Sequence, residues 1–238
     1  MTARFSGKVV LVAGGTGGLG RAVSLAFLEE GARVVVTYRD QAEFDVLKSS
    51  ASNASSLEGH RVDVTNEGAT SEFIGKVVAL RGSIDALVNA IGAYAGGVAL
   101  WELGPNVLDQ MLALNLRTGY ALSRAIVPVM LKQKSGAIVN VVAKAAFDHA
   151  AGASAYAASK AAALAMTDSL AADLKGTGVR VNSILPSIID TPANRKAMPA
   201  ADFSSWPKPE NIARVILFLC SDDALVIHGA AVPVFGNG

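Results

Sequence analysis

The chain has 238 residues, of which 51% are hydrophobic and 17% are charged, and its formal net charge is +1. This composition predicts a compact fold rather than a disordered chain, and it gives no reason to expect nucleic acid or a membrane surface as a partner. The single cysteine excludes an intramolecular disulfide and a cysteine metal cluster. The three histidines have no partners at metal-ligand spacing, so no metal is expected. No signal peptide or membrane-spanning apolar run is evident, which predicts a cytoplasmic protein.

Short runs rich in β-branched residues alternate with longer helical patterns along the chain. The predicted strands are residues 9–12, 33–37, 60–64, 86–89, 137–141, 179–184 and 231–234. The predicted helices are residues 20–30, 67–80, 107–131, 155–174 and 210–220. Because most of the strands are apolar throughout, both faces of the sheet should be covered. The sequence therefore predicts an α/β fold: a single doubly wound Rossmann-type domain over residues 1–238, with a seven-stranded parallel sheet and helices on both faces.

A glycine-rich run follows the first predicted strand and precedes a helix. Gly15, Gly17 and Gly20 fit the general dinucleotide fingerprint, whereas Gly14, Gly18 and Gly20 fit a wider spacing. In either register, turns without side chains let backbone amides reach a pyrophosphate at a helix N-terminus. The residues expected at this dinucleotide site are Gly14, Thr16, Gly18, Leu19 and Gly20.

The end of the second strand bears on the choice of cofactor. It reads Tyr38-Arg39, with no carboxylate before Asp40. A carboxylate here would accept hydrogen bonds from the ribose hydroxyls of NAD, whereas an arginine suits the 2′-phosphate of NADP. Arg39 is suited to pair with that phosphate and to stack on adenine. NADP(H) is therefore favoured over NAD(H), the alternative being that Arg39 is an ordinary surface charge.

Tyr156 and Lys160 are four residues apart, which places them on one face of a predicted helix. A phenol with its ordinary pKa of about 10 is a poor base at neutral pH. A neighbouring ammonium group stabilises the phenolate. In the reducing direction, the same tyrosine would donate a proton as a hydride arrives.

Taken together, these motifs resemble the short-chain dehydrogenase/reductase family over nearly the whole chain. The matching positions are the glycine run, Asp63-Val64, Asn89, Asn115, Tyr156 with Lys160, residues 186–191, and the final Phe235-Gly236-Asn237-Gly238. The resemblance implies that Asp63 binds the adenine amino group beside Val64 and that Thr191 contacts the nicotinamide carboxamide. It further implies that Tyr156, Lys160 and Asn115 are catalytic, with Asn115 holding a water next to Lys160. Further cofactor contacts are expected from Tyr38, Arg39, Asn89, Tyr156, Lys160, Pro186 and Ile189.

One position departs from the family pattern. Ala143 stands thirteen residues before Tyr156, where the family normally has a serine whose hydroxyl bonds the substrate oxygen. Losing such a donor costs on the order of 10²–10³ in rate for carbonyl chemistry. The segments 92–97, 143–148, 190–199 and 201–206 resemble dihydropteridine reductases, a subgroup that also has alanine there. The quinonoid dihydropterin that this subgroup reduces leaves no alkoxide that needs a serine hydroxyl.

These observations predict an NAD(P)H-dependent oxidoreductase acting on a small, planar conjugated substrate such as a quinonoid dihydropterin. Ala143 and Tyr94 are expected to contact the substrate, and residues 186–209 to form a lid over it. One alternative is a general carbonyl/alcohol oxidoreductase in which Ser154 or a water replaces the serine. Another is a non-catalytic dinucleotide-binding regulator. The apolar helices over residues 107–131 and 155–174 predict a homodimer or homotetramer.

Overall fold

The computed structural model describes residues 3–236, so Asn237 and Gly238 of the expected C-terminal motif lie outside the described residues. Within that range, one parallel seven-stranded sheet has the strand order β3-β2-β1-β4-β5-β6-β7. Its strands are β1 Val9–Ala13, β2 Arg33–Tyr38, β3 Leu57–Arg61, β4 Ala86–Asn89, β5 Gly136–Val141, β6 Val179–Pro186 and β7 Ala231–Val234. The predicted parallel sheet is confirmed.

Helices connect the strands and cover both faces of the sheet. They are α1 Gly18–Glu29, α2 Gln41–Ser50, α3 Glu67–Arg81, α4 Val107–Leu112, α5 Thr118–Gln133, α6 Ser154–Asp173, α7 Pro192–Ala197 and α8 Pro209–Cys220. Alternate residues of β1 divide the core in two: Val10 and Val12 pack with α1, α2 and α8, whereas Val9 and Leu11 pack with α3, α5 and α6. This two-sided burial explains why most of the strands are rich in apolar residues, and it confirms the doubly wound Rossmann-type fold.

The strand order positions a crevice at the carboxyl edge of the sheet. Strands β2 and β3 lie on one side of β1, whereas β4 and the later strands lie on its other side. Ala13, the last residue of β1, is in register with Asn89, the last residue of β4. The two following loops therefore diverge from neighbouring points, which is the arrangement that forms ligand crevices in open α/β sheets.

Two elements differ from the sequence prediction. The third strand is Leu57–Arg61 rather than residues 60–64, because pairing with β2 runs from Val34–Leu57 to Tyr38–Arg61. Only one residue of this strand, Leu57, is buried, so it has no continuous apolar run. Helix α2 was not predicted: it buries only Phe44 and Leu47, too few to give a clear helical period.

The helix predicted over residues 107–131 is divided in the structure. After α4, residues Ala113–Arg117 form a π-helical segment, and α5 then continues to Gln133. π-helical turns insert an extra residue into a helix and occur frequently at functional sites. Asn115 lies within this segment and is buried, with 4% of its surface exposed.

Candidate active site

The glycine-rich loop closes tightly on itself at the start of α1. A Cβ at position 20 would lie 2.0 Å from the carbonyl oxygen of Gly14, and Gly14 itself has a φ of +73°. Both positions therefore require glycine. A Cβ at Gly18 would lie 2.8 Å from the Thr191 side chain, so the loop abuts the segment that follows β6.

The N-terminus of α1 is suited to bind an anion. No side chain of the described residues caps this terminus, and the first turn Gly18-Leu19-Gly20 contains no acidic residue. Backbone N–H groups at such a terminus attract a phosphate. The side chain of Leu19 is buried in the core, so this residue offers only its backbone. The local geometry thus fits the pyrophosphate of a dinucleotide.

The end of β2 is fastened to the glycine loop. The amide of Gly14 donates to the Thr37 hydroxyl at 3.0 Å, and the amide of Gly15 donates to the Thr37 carbonyl at 3.2 Å. The next residue, Tyr38, stacks on Phe44 with a centroid distance of 4.8 Å. Arg39 follows and is exposed. Arg39 therefore lies two residues beyond Thr37, the residue that joins β2 to the glycine loop.

Asp63 and Val64 lie just beyond β3 at the same edge of the sheet. The Thr65 hydroxyl and amide both donate to Asp63, and they hold the pKa of that carboxyl below its usual value, with a further contribution from the charge of Arg39. Val64 is buried beneath this turn. Both residues thus lie just past the carboxyl end of β3, and their role in binding adenine stays a prediction.

Lys160 is buried within α6, with 4% of its surface exposed. Its Nζ donates to the carbonyl of Val141, the last residue of β5, at 3.2 Å. Burial lowers the pKa of the ammonium group to about 8. No carboxylate of residues 3–236 forms an ion pair with Lys160. The amine is therefore oriented by the backbone rather than by a counter-charge.

Tyr156 lies one helical turn from Lys160, whose Nζ is 6.0 Å from the centre of the phenol ring. Burial raises the pKa of Tyr156 to about 12, and Tyr94 adds to that effect. The Tyr94 ring meets the Tyr156 ring edge to face at 5.0 Å. At neutral pH the phenol therefore keeps its proton, which is the state that donates a proton in a reduction.

Asn115 connects the loop after β4 to the start of α6. Its amide nitrogen donates to the Ala93 carbonyl at 3.0 Å and to the Ser159 hydroxyl at 2.9 Å, while its oxygen accepts from the Ala93 amide at 2.8 Å. Ser159 in turn donates to the Tyr156 carbonyl at 2.7 Å. The asparagine thus orients the helical turn that carries the tyrosine.

Two residues of this centre were not predicted from the sequence. A Cβ at Gly92 would lie 3.1 Å from both the Lys160 Nζ and the Asn115 Oδ1, so a side chain there would crowd the centre. Ser159 links Asn115 to Tyr156. The only sequence signal for Ser159 is its place between Tyr156 and Lys160, which did not distinguish it from the neighbouring alanines.

The remaining expected cofactor contacts surround the carboxyl edge of the sheet. Asn89 is buried and accepts from the Ile91 amide at 3.3 Å, which fixes the turn after β4. Pro186 ends β6 in a buried position. Ile189 accepts from the Asn194 side chain at 2.8 Å, and Thr191 caps α7 while its methyl group faces Gly18. The geometry of all four is consistent with a shared crevice.

Ala143 follows β5 and begins a single 3₁₀ turn that packs against α6. Its side chain is buried. Ser154, the first residue of α6, is not on the helix face that carries Tyr156 and Lys160. Two residues correspond to about 200° around a helix, so Ser154 and Tyr156 project in nearly opposite directions. The Ser154 hydroxyl is buried without a hydrogen-bond partner among the described residues and lines a different cavity.

That cavity has a volume of about 640 Å³ and lies on the outer face of α6. Besides Ser154, its walls include Trp101, His149, Ala158 and Ala161. The helical residues in the wall follow the spacing of one helix face, which is not the face of Tyr156 and Lys160. The cavity is therefore separate from the catalytic centre.

The segment over residues 186–209 contains α7 and is held together by its own side chains. Asp190 and Arg195 form an ion pair at 2.5 Å, and the Arg195 guanidinium lies 4.8 Å from the Phe203 ring. Phe203 packs on Trp206 at a ring-centroid distance of 4.8 Å. The short α7 was not predicted because it buries no side chain. A lid role for this segment stays a prediction.

Residues 3–236 contain no group of three or more His, Cys, Asp or Glu side chains arranged to hold a metal ion. Within the same range, no helix combines the length and apolarity that a membrane span requires.

Comparison with known proteins identifies the family. A family model described as short chain dehydrogenase matches residues 8–202, which include the glycine loop, Asn115, Tyr156 and Lys160. The chain belongs to the short-chain dehydrogenase family. The predicted NAD(P)-dependent oxidoreductase class is confirmed with it.

Relatives of this short-chain dehydrogenase extend over almost its full length. It is 33% identical over 243 residues to the 3-oxoacyl-(acyl-carrier-protein) reductase of Thermotoga maritima, covering 98% of each chain. It is 31% identical over 251 residues to the meso-2,3-butanediol dehydrogenase of Serratia marcescens, covering 98% of this chain and 95% of the relative. The structure of ElxO with NADP bound aligns at 27% identity with a TM-score of 0.89, covering 96% and 97%. The resemblance to dihydropteridine reductases is not shown by these comparisons.

Proposed function

We propose that this short-chain dehydrogenase is an NADP(H)-dependent reductase of a small, planar conjugated substrate, of which a quinonoid dihydropterin is an example. The observation that carries the proposal is Ala143, a buried methyl group in place of the hydroxyl that usually bonds the substrate oxygen. Ser154 is an unsuitable replacement because it projects from the opposite side of α6. A conjugated imine-like acceptor needs no such hydroxyl because its reduction builds up no alkoxide.

In this proposal the bound cofactor supplies the hydride, and the chain supplies the proton. Tyr156 holds the proton at neutral pH because burial raises its pKa to about 12. The Lys160 ammonium, 6.0 Å from the ring centre, offsets the negative charge that the phenol oxygen acquires when the proton leaves. Asn115 and Ser159 keep the tyrosine turn in place. Tyr94 presents an exposed ring beside the phenol, suited to stack on a flat substrate.

The NADP(H) preference within this proposal rests on Arg39, which is exposed beside the glycine loop, and is supported by the NADP-bound neighbour ElxO. Arg39→Ala should weaken NADPH binding selectively, because a hydrogen bond from a charged group contributes about 1.5–3 kcal/mol. Calorimetric titration of both cofactors measures the effect. An equal loss of NADPH and NADH affinity would contradict the preference.

A second candidate is a carbonyl/alcohol oxidoreductase, which is favoured by relatives named as a 3-oxoacyl reductase and a butanediol dehydrogenase. In that case, a water would take the place of the hydroxyl missing at Ala143. NADPH and NADH oxidation should therefore be assayed with a quinonoid dihydropterin and with a panel of ketones. Cofactor binding without turnover of any substrate would instead support a regulator.

Ala143→Ser separates the two enzymatic candidates. If the substrate is a ketone, the restored hydroxyl should raise turnover; if it is a conjugated acceptor, turnover should stay level or fall. We expect the second outcome. Since an unpaired buried hydroxyl costs about 1–3 kcal/mol, thermal melting must be compared alongside the rate. A tenfold gain on simple ketones, without pterin reduction, would overturn the conjugated-substrate proposal.

We also propose a homodimer or homotetramer formed through the outer faces of α5 and α6. The proposal is supported by the small side chains of α6 and by the open, apolar cavity along it, where Trp101 is 85% exposed. A light-scattering mass near the 24.4 kDa of a single chain would contradict it. We further propose that the protein is cytoplasmic.

A further inference from the structure

A carboxylate that the sequence analysis did not single out contacts the glycine loop. Glu43 lies in the first turn of α2, and its Oε2 accepts a hydrogen bond from the Thr16 hydroxyl at 2.9 Å. Glu43 is exposed, so its charge is not needed to satisfy a buried partner. The contact places a negative charge beside the glycine loop, at the edge of the proposed dinucleotide site.

The surrounding backbone holds this carboxylate in a defined place. Thr37 binds the amides of Gly14 and Gly15, which fastens the glycine loop to the end of β2. Asp40 then caps α2 by accepting from the Ala42 amide at 2.9 Å, which fixes the first turn of the helix. Thr16, Arg39 and Glu43 consequently border one corner, formed by the glycine loop, the end of β2 and the start of α2.

Arg39 and Glu43 carry opposite charges at this corner, where the Asp40 carboxylate is engaged in capping α2. Among residues 3–236, neither Arg39 nor Glu43 takes part in an ion pair, and the partner of Glu43 is the neutral Thr16 hydroxyl. The adenosine ribose of a dinucleotide lies at this end of β2. A 2′-phosphate there is attracted by the guanidinium and repelled by the carboxylate, whereas a ribose hydroxyl is able to donate to the carboxylate.

We infer that Glu43 is a specificity-determining residue that opposes Arg39 and limits the preference for the phosphorylated cofactor. The inference rests on the proposed dinucleotide site, but the sign of the effect is independent of Arg39. Glu43 disfavours a 2′-phosphate by charge, and it accepts a hydrogen bond when the ribose carries a hydroxyl. At this corner, Arg39 thereby favours NADP(H) and Glu43 favours NAD(H).

A structural role for Glu43 makes a different prediction. An acidic side chain in the first turn of a helix also stabilises the helix through its dipole. If that were its whole contribution, removing the charge would lower thermal stability and would change the affinities for NADPH and NADH by the same factor. The ratio of the two affinities therefore distinguishes a specificity role from a stabilising one.

The test is calorimetric titration of NADPH and NADH with Glu43→Gln, which removes the charge but keeps an oxygen that accepts from Thr16. We expect NADPH to bind roughly three- to fivefold more tightly, the size of an exposed charge–charge interaction, and NADH affinity to change less than twofold. The gain should shrink in 1 M salt, where the screening length falls to about 3 Å. Asp45→Asn is the matched control: it removes the same charge from α2 at a carboxylate bound to Gln41, and should leave both affinities unchanged.

Unchanged NADPH affinity in Glu43→Gln, or an equal change for both cofactors, would overturn the inference. Glu43→Ala also removes the hydrogen bond to Thr16, and we expect it to tighten NADPH binding as well. Weaker NADPH binding in both variants would likewise overturn the inference, because the carboxylate would then support the loop. Arg39→Ala tests the cofactor preference separately: if it has no selective effect while Glu43→Gln still tightens NADPH binding, the preference fails and the role of Glu43 stands.

Discussion

The catalytic centre and the rim that we propose to face the substrate are held in different ways. In the centre, Lys160 and Asn115 are each 4% exposed and bind backbone groups of β5 and of the loop after β4. On the rim, Tyr94 is 65% exposed, and the segment over residues 186–209 is held by its own ion pair and ring contacts. The difference teaches that the fold itself positions the proposed acid–base groups, whereas the segments proposed to contact the substrate are irregular and held by local contacts.

The largest effect should come from the centre, through Tyr156→Phe. Turnover should fall by about 10²–10⁴, the usual contribution of a positioned acid. The dissociation constant for NADPH should change little, because the ring is kept. Steady-state rates and calorimetry measure the two quantities, with Tyr94→Phe as a variant that keeps the acid. Nearly full activity in Tyr156→Phe would mean that the proton comes from solvent.

Lys160→Met should stabilise the cofactor-free protein at pH 7. Burial lowers the pKa of Lys160 from 10.5 to about 8, and each pKa unit corresponds to about 1.4 kcal/mol, so keeping the amine charged costs about 3 kcal/mol. Between pH 8 and 10.5 the unfolded chain binds this proton and the folded protein does not, so wild-type stability rises with pH in that window. Below pH 8 both states bind it, and the cost is complete.

Urea unfolding of wild type and Lys160→Met at pH 7 and at pH 10.5 checks this sign. The advantage of the variant should be close to its full size at pH 7 and should largely disappear at pH 10.5. Titrations of other groups are shared by both proteins and cancel in the difference. The same difference at both pH values would show that packing, rather than the buried charge, separates the two proteins.

The smallest effect is expected on the rim, from Tyr94→Leu. Loss of the ring should raise the KM of a flat substrate roughly two- to tenfold, since an aromatic pair contributes about 0.5–1.5 kcal/mol. The value of kcat should change less, because burial alone keeps the proton on Tyr156 and backbone groups hold Asn115 and Lys160, even though the Tyr94 ring also meets Tyr156. Tyr120→Leu, at an exposed tyrosine of α5, serves as the control. If kcat falls with KM unchanged, Tyr94 belongs to the centre rather than to the rim.

The same contrast explains what the sequence could predict. Tyr156 and Lys160 were identifiable because their spacing within one helix is local. The bonds from Asn115 to Ala93 and Ser159 join positions 22 and 44 residues apart, and no periodicity encodes them. The contact of Glu43 was not predictable for the same reason, because its partner Thr16 is 27 residues away.

The fold followed a similar rule. Strand β1 is a continuous apolar run and was predicted close to its observed bounds because burial on both faces marks it. Strand β6 is buried along its whole length although it contains Arg180, Asn182 and Ser183, and its start was predicted correctly. Strand β3 reads Leu-Glu-Gly-His-Arg and is defined by pairing with β2, so its bounds could not be read from hydropathy. Helix α2 depends on the Asp40 cap and two buried side chains, which gave too weak a pattern.

The π-helical segment Ala113–Arg117 changes the direction in which side chains project along one long helical region. One part of this region packs in the core, and another orients Asn115. After it, Leu122, Ile126 and Met130 face the core at regular helical spacing. Within it, Asn115 is turned toward Ala93 and Ser159. An α-helix turns by about 100° per residue. Removing one residue from the segment would therefore rotate Asn115 by about that angle relative to the core side chains Leu122, Ile126 and Met130. The extra residue lets the centre and the core set their orientations independently.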